Sequence, residues 1–240
     1  HSDHRYRHSR SPGEQLAVRR ESLRLRCTQA IHAVVPMSGA LIVVGAVLWK
    51  ESSRAHLLEW LLSCFVATLL AAVDCRRILP SIAAASLDEL AQLEHRFLVT
   101  TLLNTAAMGA GIWWMAALSN VEIGFFVTLC LCFYAIGHGI NGSSHLRSFH
   151  AGLFANLGQA MIYWLVQGGS GFGIAIMLAG ICYLLTTFAR QNAKTFAENV
   201  RMRFANLDLV EAVSQEKKVV ERALAEAREA SLAKSRFLAA

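Results

Sequence analysis

The stretch GFGIAIMLAGICYLLTTFARQNAKTFAENV, residues 171–200, holds two kinds of helix in one run. Up to Ala189 it carries no charge, and from Arg190 onward Lys194 and Glu198 mark a face that needs water. From Phe188 to Leu238 neither Pro nor Gly occurs, so one long helix can leave a membrane and continue into the aqueous phase. An apolar helix of about 20 residues matches a hydrocarbon core of about 30 Å. The segment therefore reads as a membrane span that becomes a cytoplasmic helix.

The rest of the chain repeats the first half of that pattern. Of 240 residues 55% are hydrophobic and only 17% are charged. Soluble domains carry about 25% charged residues, and the mean hydropathy here is +0.40. Charge is confined almost entirely to 1–26, 74–96 and 190–236. Between these lie apolar segments at 29–49, 56–73, 97–118, 121–140, 149–167 and 170–189. The expected fold is an all-α membrane protein, a six-transmembrane-helix bundle followed by a long cytoplasmic coiled-coil signalling helix. Its divisions are a basic N-terminal segment, 1–28, a membrane domain, 29–189, and the cytoplasmic helix, 190–240.

Positive charge fixes the expected orientation. Residues 1–26 hold seven Arg, the 74–96 loop has Arg76, Arg77 and Arg96, and Arg147 lies in the 141–148 turn. Alternate loops hold only Lys50 and Arg54, so both termini are expected in the cytoplasm. The net charge of +6 sits beside the spans, where a membrane protein needs it, and does not point to nucleic acid. The outer connections are too short for an extracytoplasmic domain. Any external signal must then be read within the bilayer or at its surface.

Polar residues inside spans mark candidate sites. Asn156, Gln159 and Tyr163 stand at i, i+3 and i+7 on one stripe of the fifth span, with His150 near its start. Two readings are open, interhelical hydrogen bonds or a polar lining for a ligand. Glu59 either snorkels or is a partly buried carboxylate, and Asn104 and Thr101 can face the same interior. Trp49, Trp60, Trp113, Trp114 and Trp164 all fall near outer span ends. They form either an interfacial belt or the walls of a pocket. The candidate ligand set is Tyr163, Gln159, Asn156, Trp164, Trp113, Trp114, Glu59 and Asn104, with the ligand between spans in the outer half. Pro36, with Gly39 after it, is expected to kink the first span.

No catalytic residue set, phosphate loop or carboxylate dyad occurs. Four of the six cysteines lie in apolar segments and none has paired metal spacing. His138, His145 and His150 cluster in the inner loop after the fourth span and offer an alternative metal or haem site. They lack a companion Cys or carboxylate at ligand spacing. No cofactor is expected. His1, His4 and His8 read as a tail.

The cytoplasmic helix carries a seam at Val200, Phe204, Leu207, Val210, Val213, Lys217, Val220, Leu224, Ala227 and Ser231. Two successive three-residue steps near 207–213 form a stammer, and polar residues within the seam make it a weak parallel dimer contact. The helix ends in AEAREASLAKSRFLAA, residues 225–240. This stretch resembles the linker into the phosphoacceptor helix of sensor histidine kinases, in which the phosphorylated histidine follows within a few residues. Six spans with minimal loops ahead of such a linker resemble the membrane sensors of quorum-sensing kinases. The resemblance implies a small lipophilic signal, a homodimer in a bacterial inner membrane amid its lipid, and a response regulator reached through a kinase core. Rival readings are a small transporter or channel, and a metal, haem or redox sensor with another output. A transporter would carry an inverted repeat, and none is evident between the halves.

Overall fold

The computed structural model of the chain describes residues 12–116, 121–142 and 144–238. Among these, every regular element is helical: α1 (Pro12–His32), α2 (Val34–Leu48), α3 (Arg54–Ile78), α4 (Leu87–Gly109), α5 (Val121–Gly142), α6 (Leu146–Gln167) and α7 (Gly171–Leu238). A 3-10 turn, Leu79–Ser81, follows α3, and a π-helical turn, Ile112–Ala116, follows α4. Contacts divide the chain into two units at Ala197 and Glu198.

Among the described residues four helices are long and apolar enough to cross a membrane: Arg54–Ser81, Leu87–Met115, Val121–Ile140 and Gly171–Ala225. A fifth crossing results if the bent pair Gln15–His32 and Val34–Leu48 is one span. Their outward faces present Ile42, Leu62, Leu103, Phe133, Ile176 and Leu184. Water does not tolerate so much continuous apolar surface, whereas lipid matches it. The chain is thus a helical protein built for multiple membrane passes. The expected fifth span, 149–167, lies in α6, which has the length but not the composition. Its Asn156 and Tyr163 are buried, so part of its polar content faces other helices and not lipid.

The first unit has two apolar clusters. The larger joins α2 to α7 through Leu41, Trp60, Met108, Leu131, Leu157 and Leu178. The smaller joins α1, α3 and α4 through Leu23, Cys27, Cys75, Ile78, Leu90 and Phe97. Residues 12–28 of the expected basic N-terminal segment lie in α1, which packs into the second cluster. Leu16, Leu23, Cys27 and Ile31 give α1 its apolar stripe. Arg19 makes a forked ion pair with Glu94, with Nε donating to Oε1 at 3.0 Å and Nη2 to Oε2 at 2.7 Å. Ser22 donates to the Ser144 carbonyl at 2.6 Å, tying α1 to the turn before α6. His1, His4 and His8 lie outside the described residues.

Local sequence explains the element ends. Pro36 has no N–H for the carbonyl one turn before it, and the chain bends by 45° between α1 and α2. Ser86 caps α4 reciprocally: its backbone N–H donates to Glu89 Oε2 at 2.7 Å, and Glu89 N–H donates to Ser86 Oγ at 3.4 Å. Gly168 closes α6 in the positive-φ region, at 68°, where a side chain would be strained. Close packing of α4 on α6 requires Gly109, where a Cβ would stand 2.7 Å from the Ala155 carbonyl oxygen.

In the second unit, Phe204, Leu207, Val210, Val213, Val220 and Leu224 are exposed. Lys217 and Glu221 pair along the helix at 3.8 Å. The backbone is helical through Leu238, and Ala239 and Ala240 lie outside the described residues.

Candidate functional site

A cavity of about 680 Å³ lies among α1 to α5. Its levels follow from paired contacts along antiparallel helices. At one end Arg26 lies over the Phe97 ring, 5.7 Å from its centroid, in the cluster with Cys75. In the middle, the Thr68 hydroxyl stands 3.0 Å from Asn104 Oδ1, and Asn104 Nδ2 donates to Tyr134 Oη at 3.4 Å. At the far end Trp60 Nε1 donates to the Ala107 carbonyl at 3.1 Å, beside Leu41, Val44 and Met108. The cavity is therefore amphipathic along its length: a cationic end, a hydrogen-bonding waist and an apolar end. Ligand sites of this volume commonly combine apolar walls with a few directed polar groups.

Of the eight residues expected to bind a ligand, Asn104 lines this cavity. The polar stripe of α6 faces inward, with its donors already committed. Asn156 Nδ2 donates to the Leu131 carbonyl at 3.0 Å. Gln159 Nε2 donates to the carbonyls of Ala155 at 2.6 Å and Ala106 at 3.0 Å. Trp164 Nε1 donates to Thr128 Oγ1 at 2.8 Å. Tyr163 is buried, edge-on to Trp113 with ring centroids 5.6 Å apart. Asn156 thus bonds across to α5 and Gln159 across to α4. Trp113 and Trp114 are partly exposed, but Trp60 and Trp164 are buried, so the five tryptophans are not one belt. Glu59 is exposed and does not turn into the bundle.

The inner histidines are each engaged separately. His138 is stacked between Tyr134 and Phe149, at 6.2 and 5.9 Å. His145 is edge-on to Phe97 at 6.1 Å and its Nδ1 lies 2.7 Å from Ser148 Oγ at the start of α6. His150 is tilted against Phe149 at 5.6 Å. Among the described residues no three His, Cys, Asp or Glu side chains converge to hold a metal. Burial pushes the His145 pKa below its ordinary value; Glu94 opposes this, and Arg26, Arg147 and Arg19 reinforce it.

Arg26, Gln29, Thr68 and Tyr134 are cavity residues that sequence reasoning passed over. The signal for Thr68 was a hydroxyl in a mostly apolar run. The signal for Arg26 was its place on the α1 stripe, one residue before Cys27. No family model, curated protein or solved structure matches the chain.

Proposed function

We propose that the chain is the sensory region of a two-component histidine kinase, crossing a bacterial inner membrane six times as a homodimer with both termini cytoplasmic. α6 would be the fifth of these crossings, with the start of α7 as the sixth. A small lipophilic signal enters the α1–α5 cavity from the bilayer and contacts Asn104, Thr68 and Trp60. The observation that carries this reading is α7 itself: the last apolar segment and AKSRFL, residues 233–238 of the kinase-linker-like stretch, belong to one helix.

The coupling element is α5. One side of it, with Leu131, Tyr134 and His138, lines the ligand cavity. Another side, with Thr128, Cys132 and Ile136, borders an apolar groove of about 480 Å³ shared with Ile174, Met177 and Ile181 of α7. A void at that contact gives α5 room to shift against α7. A ligand that favours one arrangement by a few kcal/mol is enough to change their populations. The exposed seam from Phe204 to Leu224 would pair with a second copy, and its stammer would allow two registers. A kinase core would relay the change to a response regulator.

The test is phosphorylation of the full-length protein in lipid nanodiscs with labelled ATP. The expected product is an acid-labile, base-stable phosphohistidine. If the protein forms none under any lipid condition, and instead conducts or transports solute in liposomes, the kinase-sensor reading is wrong.

A further inference from the structure

The cationic end of the cavity has an arginine too many. Two carboxylates lie near that end, and each already has its own arginine: Glu94 pairs with Arg19, and Asp74 pairs with Arg96. Arg26 is only 6% exposed, yet among the described residues no carboxylate pairs with it. Its Nε is buried without a hydrogen-bond partner, and its guanidinium lies over the Phe97 face. One turn further along α1, Gln29 Oε1 is also buried without a partner and borders the same space. Buried charges are ordinarily paired, because desolvation otherwise costs several kcal/mol. An uncompensated guanidinium at the head of an apolar cavity is a receptor for an anion.

We infer that the cavity binds a single-chain amphiphile with a carboxylate head, its carboxylate on Arg26 and its chain running past Asn104 toward Trp60. The guanidinium fork matches a carboxylate bidentately. The Thr68–Asn104–Tyr134 waist permits one polar substituent along the chain. Leu41, Val44 and Met108 accept the apolar end. This inference rests on the sensor reading only for its biological meaning; binding itself stands apart from any kinase output.

The probe is a terminally brominated dodecanoate, whose bromine quenches tryptophan fluorescence at contact, added to the full chain in nanodiscs of neutral lipid at alkaline pH. Quenching should saturate and should fall away in Trp60→Phe. The neutral methyl ester should bind the wild-type protein about 30-fold or more weakly, the size expected when one partner of a buried charge pair is removed. Arg26→Met should weaken the carboxylate by a similar factor while leaving the ester unchanged, and Arg26→Lys should recover part of the loss. Comparing acid with ester on the wild-type protein needs no variant, so a folding failure of Arg26→Met does not blunt the test. Equal affinity for acid and ester would overturn the anion assignment while leaving a lipophilic-signal sensor intact. Displacement of the probe by nanodiscs containing phosphatidylglycerol would overturn it in favour of a resident anionic phospholipid.

Discussion

His145 shows how a single residue ties this protein to pH. Its Nδ1 accepts from the Ser148 backbone N–H at the start of α6, and burial holds its pKa below the ordinary value of about 6.5. A depressed folded pKa means that the neutral form contributes stability above the unfolded value. That contribution is lost as pH falls through the folded one. Melting temperature measured from pH 8 down to pH 5 should therefore drop more steeply for the wild-type protein than for His145→Asn, which keeps a cap but does not titrate. Parallel profiles for the two would remove His145 from any pH response. Trp164 offers a second residue-scale test, because its indole N–H is bonded to Thr128 inside the bundle. Trp164→Phe should cost about 1 kcal/mol of stability, read by thermal denaturation in detergent. It should leave probe binding in the cavity unchanged, since Trp164 does not line it.

At the scale of elements, close approach of α4 and α6 depends on Gly109, while Gly158 has open space beside it. Gly109→Val should destabilise the bundle by about 1–3 kcal/mol through overpacking, and Gly158→Ala should be tolerated. Equal losses from the two would show that α4 and α6 do not meet as described. The helices themselves were legible in the sequence because apolar runs bounded by charge have one physical meaning in lipid. The long uninterrupted course of α7 followed from the absence of Pro and Gly between Phe188 and Leu238. The helix α1 was not legible as a packed element. Its stripe of Leu16, Leu23, Cys27 and Ile31 is interleaved with arginines that read equally well as a topogenic charge cluster. Only the partners Glu94 and Phe97, distant in sequence, reveal that part of this charge faces inward. The α6 stripe was ambiguous for a related reason: spacing tells which side chains share a face, but not whether that face meets a helix or a hollow. Asn104 belongs to the hollow because Thr68 and Tyr134 bracket it from α3 and α5.

For the whole molecule, orientation and assembly can be tested separately from ligand chemistry. A cysteine at Ser52, in the connection between α2 and α3, should react with an impermeant thiol reagent added outside cells. One at Ser86, at the start of α4, should react only after permeabilisation; the reverse order would invert the topology. The proposed switch joins the cavity among α1 to α5 to the exposed seam of α7. Ala71 lines that cavity, and Ala71→Phe would occupy it with a side chain in place of a ligand. The most direct measurement is the rate of disulfide crosslinking between copies carrying Leu224→Cys in native membranes, with Arg222→Cys as an off-seam control, in the wild-type and Ala71→Phe backgrounds. Crosslinking should occur at 224 and not at 222, and filling the cavity should change the rate at 224 by several-fold at equal protein level. Identical rates in the two backgrounds, or crosslinking at 222 alone, would contradict the account.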